Sequence, residues 1–195
     1  CVTTKKQLDA LGSRMKKAAV ISIDTETTSL SPLRCRLCGV SVSIQPGEGF
    51  YIPIRSPTPD KHLDEKAVLG VLRPILEDPA IAKCGHNLKY DMLVLRKHAV
   101  EVRGLVETGR DGETKRRRDG GERDGWAGCD SMVSSYLIDS SRSSHSLDAL
   151  AQALLQRRNI AYTDLVGSGV NQRTFDTVPI DLATQYAAED ADVAL

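Results

Sequence analysis

The stretch Ile21-Ser22-Ile23-Asp24-Thr25-Glu26-Thr27-Thr28-Ser29-Leu30 decides the fold that this sequence predicts. It is an apolar, β-branched run that ends in two acids one residue apart. Because successive side chains on a strand alternate between faces, Asp24 and Glu26 point to the same side. Two carboxylates on one face repel each other, and a hard divalent cation such as Mg²⁺ or Mn²⁺ would relieve the repulsion. The alternative is an exposed strand end whose acids are solvated.

The composition of the 195-residue chain, 41% hydrophobic and 27% charged, is typical of one globular domain. Its formal net charge is zero, so nucleic-acid binding would depend on a local patch. No apolar run approaches the roughly 18 residues that span a bilayer, and no signal peptide opens the chain, so we expect no membrane association. Five irregularly placed cysteines indicate free thiols in a reducing compartment. A start at Cys1 and a stop at Leu195 within a helical pattern suggest a piece of a longer polypeptide.

Strand patterns that give way to alternating strands and helices predict an α/β fold with a mixed sheet. Strands are predicted at 18–25, 35–45, 50–54 and 81–85, the middle two as an antiparallel hairpin. Helices are predicted at 3–17, 64–76, 87–98, 132–138, 146–156 and from Pro179 onward, with mostly loop over 162–175. Residues 106–127 hold several glycines, acids and the run Arg116–Arg118 but almost nothing apolar, so we expect a flexible charged surface insertion.

Two further acidic motifs lie on predicted helices. Asn87 and Asp91 are four residues apart and are expected to share a helix face, just after a strand end where α/β sheets commonly place ligands. Tyr186 and Asp190 have the same spacing on the last helix, with Leu182 and Val193 expected to be buried nearby. Spacing does not distinguish Asp190 from Glu189, and ordinary solvated acids remain the alternative at both motifs.

Taken together, three motifs resemble a known family: Asp24-Thr25-Glu26-Thr27, Asn87-Leu88-Lys89-Tyr90-Asp91 and Tyr186-Ala187-Ala188-Glu189-Asp190-Ala191-Asp192. Their order and spacing resemble the DEDDy exonucleases, and most closely the 3′–5′ proofreading exonuclease domain of bacterial family A DNA polymerases. The stretch Cys129-Asp130-Ser131-Met132 also matches. The likeness covers nearly the whole chain, residues 1–195, apart from the insertion, and implies an RNase H-like mixed β-sheet flanked by α-helices.

The resemblance also implies two-metal phosphodiester hydrolysis with Mg²⁺ or Mn²⁺. By motif position, Asp24, Glu26 and Asp190 would bind the first ion. Asp24 would also touch the second, which Asp91 would hold through water. Tyr186 would orient the attacking water, and its ordinary pKa of about 10 argues against a role as base.

Substrate contacts follow from the same resemblance. Leu30 and Tyr162 match positions that pack against the terminal base, while His86 and Asn87 would hydrogen-bond the terminal nucleotide or its phosphate. The family usually has glutamine at the position of His86. The implied substrate is single-stranded DNA or a frayed primer 3′ end, and a covalently linked polymerase domain is expected in a cytoplasmic, nucleoid-associated protein.

Two other functions are compatible with these motifs. An RNase D-like exoribonuclease shares all three of them. A non-catalytic nucleic-acid-binding domain that supports a polymerase would keep the fold but lose the acids, and this chain retains all four acids and Tyr186.

Overall fold

A single mixed sheet with the strand order β3-β2-β1-β4 organises the structure, a computed structural model that describes residues 1–105 and 128–195. The strands are β1 (Val20–Thr27), β2 (Leu37–Gln45), β3 (Glu48–Pro53) and β4 (Ala82–Cys84). β2 pairs antiparallel with both β1 and β3, and β4 runs parallel to β1. The predicted hairpin and mixed sheet are confirmed, whereas the predicted insertion at 106–127 lies outside the described residues.

Helices cover the sheet, and most of the predicted ones are present. They are α1 (Lys5–Met15), α2 (Glu65–Leu76), α3 (Leu88–Lys97), α4 (Ser131–Ile138), α5 (Leu147–Leu150), α6 (Tyr162–Val166) and α7 (Ile180–Ala194). The predicted cap at Asp64 is confirmed, because its carboxylate accepts from the Ala67 N–H. Residues 162–175, expected to be mostly loop, instead contain α6 and a 3-10 turn at Gly169–Asn171. The helix predicted from Ser146 is present and capped by that serine, and α5 continues as a π-helical turn over Ala151–Leu155.

Two apolar layers lie on opposite faces of the sheet. Ile21 and Ile23 of β1 face the larger layer, which contains buried residues of α1, α2 and α3. The smaller layer contains Tyr51 of β3 and Ala187 of α7. The alternation of β1 therefore turns Asp24 and Glu26 toward the α7 side, as the sequence predicted.

Helix α7 packs on the sheet through an alanine face rather than through the residues that periodicity suggested. Ala183, Ala187 and Ala191 are buried, whereas Leu182 is 48% exposed. The expectation that Leu182 marks the buried side was wrong, because helix–sheet contact here favours small side chains. Gly49 of β3 lies directly against this helix, since a Cβ built on it would be 2.0 Å from the carbonyl oxygen of Ala188. Among the helices of residues 1–105 and 128–195, none has the length and hydropathy to cross a bilayer.

Candidate active site

The two acids of β1 lie at the C-terminal half of the strand, beyond the point where β4 stops pairing with it. The parallel pairing with β4 ends at Ser22, and a register shift against β2 follows Glu26. Glu26 is 6% exposed, and its Oε1 atom is buried without a hydrogen-bond partner among the described residues. The Ser41 hydroxyl of β2 donates to Asp24 Oδ2 at 3.4 Å. The first acidic pair is therefore desolvated and incompletely satisfied.

Asp91 of α3 occupies the edge of β1 that β4 leaves open. Its Oδ1 accepts from the Thr25 N–H at 2.9 Å and from the Thr25 hydroxyl at 2.5 Å. Asp91 is 2% exposed, so the alternative of a solvated acid does not hold for it. Because Thr25 lies between Asp24 and Glu26 in the chain, these two bonds fix a third carboxylate beside the first two.

Asn87 does not share a helix face with Asp91, contrary to the prediction from their spacing. Asn87 is the N-cap of α3 and has left-handed backbone angles, with φ 59° and ψ 39°. The Nδ1 atom of its neighbour His86 lies 2.8 Å from the Ser131 hydroxyl. The second polar atoms, His86 Nε2 and Asn87 Oδ1, are both buried without a partner among the described residues. This turn thus presents unused hydrogen-bonding groups.

Glu189 and Asp190 of the last helix have different surroundings. Glu189 forms an ion pair with Arg157 and accepts from the Ile160 N–H at 2.7 Å. The charge of Asp24 acts on Asp190, and the charge of Asp190 acts on the Tyr186 phenol. Glu189 therefore holds the preceding loop, while Asp190 faces the acids of β1.

Burial and mutual repulsion both favour protonation of these carboxyls. Burial raises the pKa of Asp24 to about 6 and that of Asp190 to about 8, with the charge of Asp24 adding to the second effect. The pKa of Glu26 lies well above its usual range because of burial and then the charges of Asp24, Asp190 and Asp91. The pKa of Asp91 is raised well above its usual range by burial and by Asp24. The four acids consequently form one electrostatic unit.

The Tyr186 phenol belongs to this unit as a neutral group. Burial, followed by the charge of Asp190, raises its pKa above the ordinary value. A phenol that keeps its proton donates hydrogen bonds and does not act as a base at working pH.

The chemistry of these side chains suits a divalent cation. Oxygen ligands, clustered negative charge and the orphaned Glu26 Oε1 are what a hard cation requires. Within residues 1–105 and 128–195, however, no three His, Cys, Asp or Glu side chains are already spaced as ligands around a single point. Like charges drive carboxylates apart, so closing around a cation needs side-chain rotation at these positions.

The two expected base-packing residues differ in their surroundings. Leu30 is 91% exposed, beyond the end of β1, where the Tyr90 hydroxyl donates to the Ser29 carbonyl at 2.6 Å. The Tyr162 ring packs against Phe175 and Tyr186, with centroids 6.3 Å and 5.9 Å away, and the charge of Glu26 acts on its phenol. Tyr162 thus combines a packing role with closeness to the acidic cluster.

Sequence reasoning left one important residue without a role. Asp130 was matched only as part of a longer motif, yet its carboxylate accepts four backbone N–H groups from the starts of α3 and α4. An aspartate directly before the helical run 131–138 is an N-cap signal and could have revealed half of that role. The other half depends on tertiary contact with the turn at Asn87.

Comparison with known proteins shows which proteins this chain resembles. A family model described as 3′–5′ exonuclease matches residues 1–120 and 125–195. DNA polymerase I of Pseudomonas aeruginosa is 35% identical over 192 residues, which cover 96% of this chain and 18% of the relative. The chain thus spans about a fifth of the length of the curated relatives it matches.

Solved structures show the same fold at lower identity. RNase D of Trypanosoma brucei superposes with a TM-score of 0.68 at 14% identity, over 99% of this chain and 60% of that one. Brucella melitensis NrnC with bound Mg²⁺ gives a TM-score of 0.56 at 24% identity, over 92% of this chain and 69% of that one.

These likenesses confirm the expected RNase H-like fold, a mixed sheet flanked by helices. The family match extends over all three acidic motifs and is independent of the geometry described above. The chain belongs to the 3′–5′ exonuclease domain family of the family A DNA polymerases, and it is a nuclease domain.

Proposed function

We propose that this domain is a metal-dependent 3′–5′ exodeoxyribonuclease that removes 3′-terminal nucleotides and so edits primer ends. The single observation that supports this most strongly is the convergence of Asp24, Glu26, Asp91 and Asp190. They come from β1, α3 and α7, yet their charges act on one another inside the protein. Such clustering is costly without cations, and it is retained here together with Tyr186.

In this proposal Asp24, Glu26 and Asp190 would hold one divalent ion, and Asp24 and Asp91 would hold a second. When bound, the two ions would supply an activated water and stabilise the departing 3′ oxygen. Mg²⁺ or Mn²⁺ would serve, and the structurally similar NrnC of Brucella melitensis has been solved with bound Mg²⁺. Metal-free protein should therefore be inactive.

The chain's own residues orient the reaction. The neutral Tyr186 phenol, on which the charge of Asp190 acts, positions the attacking water without accepting its proton. His86 Nε2 and Asn87 Oδ1 have no partner among the described residues. A protonated His86 Nε2 would donate to a phosphate oxygen, whereas Asn87 Oδ1 would accept from an N–H or O–H group of the terminal nucleotide. Leu30 and Tyr162 would contact the terminal base. Stacking and apolar contacts do not depend on the identity of the base, as removal of any 3′ nucleotide requires.

The substrate and setting of the domain are also proposals. Single-stranded DNA or a frayed primer 3′ end suits the apolar base contacts, and a linked polymerase domain follows from relatives named DNA polymerase I that are far longer than this chain. Such a protein would act in the cytoplasm, at the nucleoid. An RNase D-like exoribonuclease is the second candidate, favoured by the superposition on Trypanosoma brucei RNase D.

Replacement of one acid tests the proposal. Asp24→Ala should abolish Mg²⁺-dependent release of 3′ nucleotides from single-stranded DNA, a loss of at least ~1000-fold, because charge stabilisation at the reacting phosphate is removed. Asp181→Ala, which removes an exposed acid from the start of α7, is the matched control and should retain full activity. Undiminished release by Asp24→Ala, or release unaffected by EDTA, would remove the mechanism.

The same assay separates the alternatives. Matched DNA and RNA oligonucleotides distinguish a deoxyribonuclease from an exoribonuclease by their relative rates. A protein that binds single-stranded DNA but releases no nucleotide at any Mg²⁺ or Mn²⁺ concentration would instead be the non-catalytic domain.

A further inference from the structure

The starts of α3 and α4 converge on one side chain. Asp130, the residue before α4, accepts from the Met132 N–H at 2.9 Å and from the Val133 N–H at 3.3 Å through Oδ1, as an N-cap does. The same carboxylate also reaches the neighbouring helix. Its Oδ1 accepts from the Asn87 N–H at 3.0 Å, and its Oδ2 accepts from the Leu88 N–H at 2.8 Å.

Helix α3 needs this external cap because it has none of its own. Asn87, its N-cap, makes no capping hydrogen bond with its side chain and has a left-handed backbone that residues other than glycine rarely adopt. The first N–H groups of a helix are otherwise unpaired, and a carboxylate there also meets the positive end of the helix dipole. Asp130 thus supplies both the missing acceptors and the favourable charge.

The consequence reaches Asp91, three residues after Leu88 and rigidly carried by the same helix. Asp91 must meet the Thr25 N–H and hydroxyl at the open edge of β1. A change in where α3 begins therefore changes where the Asp91 carboxylate lies. Catalytic rates are sensitive to such shifts, since a displacement of about 1 Å can cost ~100-fold.

Other contacts join the same two segments and would hold the fold without Asp130. The Ser131 N–H donates to the Gly85 carbonyl at 2.8 Å, and the Gly85 N–H donates to the Cys129 carbonyl at 3.1 Å. His86 also contacts the Ser131 hydroxyl. Removing Asp130 should consequently loosen the start of α3 without unfolding the protein.

We infer that Asp130 is a positioning residue for the nuclease centre: it caps α3 and α4 together and thereby sets Asp91 against β1. The inference rests on the proposed metal role of Asp91. Asp130 touches neither the cation nor the substrate in this proposal, and its effect on metal binding is exerted through Asp91.

Asp130→Ser separates the two capping roles. Serine can still cap α4, because it is among the preferred N-cap residues, but its shorter side chain lacks a second oxygen for α3. We expect about tenfold weaker Mn²⁺ binding by calorimetry in the absence of DNA. On single-stranded DNA at fixed Mg²⁺, we expect a kcat reduced about tenfold.

A double-mutant cycle with Asp91→Ala shows whether Asp130 acts through Asp91. Asp91→Ala alone should weaken Mn²⁺ binding, and adding Asp130→Ser to it should change the affinity by less than twofold. Asp64→Ala is the matched control: it removes the cap of α2, whose contact to the Ala67 N–H is the same kind of bond, and should leave Mn²⁺ affinity unchanged. A general loss of helix-cap stability would lower the Mn²⁺ affinity of Asp64→Ala as well as that of Asp130→Ser.

The outcomes distinguish failure of the metal site from failure of the positioning role. If Asp91→Ala leaves Mn²⁺ binding intact, the proposed metal site is wrong and this inference falls with it. If Asp91→Ala weakens binding but Asp130→Ser does not, or if the two losses add in full, only the positioning role is overturned. Should Asp130→Ser fail to fold, Asp130→Asn takes its place: it keeps an acceptor for α4 and turns an amide N–H toward the Leu88 N–H, with the same expected readings.

Discussion

Gly49→Ala tests whether close contact between α7 and the sheet positions the acids proposed to be catalytic. The added Cβ would lie 2.0 Å from the carbonyl oxygen of Ala188 and 2.7 Å from its carbonyl carbon. Because both neighbours are backbone atoms, no side-chain rotation relieves the clash. To restore an ordinary separation of 3.4 Å, α7 and β3 must move apart by about 1.4 Å.

The expected effects follow from that distance. Overpacking of this kind costs about 1–3 kcal/mol, which lowers the melting temperature of a domain of this size by roughly 2–12 °C. The same movement withdraws Tyr186 and Asp190 from the β1 acids, so kcat on single-stranded DNA should fall by roughly 100-fold. Melting followed by circular dichroism and single-turnover release of 3′ nucleotides measure the two effects.

Gly70→Ala is the matched control for this change. Gly70 lies within α2, and a Cβ there meets nothing within 4 Å. Alanine stabilises an exposed helix position by about 1 kcal/mol relative to glycine. The melting temperature should therefore rise by a few degrees while kcat stays unchanged. A Gly49→Ala variant with the parent melting temperature and kcat would refute the idea that this contact sets the position of α7.

Two further predictions concern charge at the site. Burial raises the pKa of Asp24 to about 6 and that of Asp190 to about 8, so the folded protein retains protons that the unfolded chain releases above its carboxyl pKa of ~4. In EDTA, the free energy of unfolding from urea titrations should therefore fall between pH 5 and pH 8, and saturating Mg²⁺ should reverse the fall; equal stability at both pH values would contradict this account. Tyr186→Phe should lower kcat about tenfold or more while Mn²⁺ affinity stays within twofold, because in the proposed mechanism the neutral phenol would orient water and bind no ion. Loss of Mn²⁺ binding in that variant would instead indicate a structural role.

Local periodicity was sufficient to predict the first acidic pair but not the partners it would meet. Strand alternation alone placed Asp24 and Glu26 on one face, and that prediction holds in the structure. Their relation to Asp91 depends on β4 ending early, so that α3 can reach the free edge of β1. No spacing within one segment contains that information; the family resemblance supplied it.

The errors at α3 and α7 have separate physical causes. Asn87 has a left-handed backbone before the first helical turn, and its N–H is accepted by Asp130, which is far away in sequence. Helical spacing cannot anticipate such a contact. On α7 the exposed Leu182 misled because large apolar side chains usually mark a buried face. The repeat of alanine at 183, 187 and 191 was the better signal, since small residues permit the closest packing.

That close packing also determines the electrostatics of the site. The face of the sheet toward α7 carries small residues, including Ser41 and Gly49, so the helix backbone approaches the strands directly. Approach at this distance desolvates Asp24 and Glu26, which raises their pKa and opposes ionisation. A bound divalent cation would instead favour the ionised carboxylates, because its attraction to them is stronger where water is excluded. The packing that makes the metal-free cluster unfavourable is therefore the same packing that would give it affinity for a divalent ion.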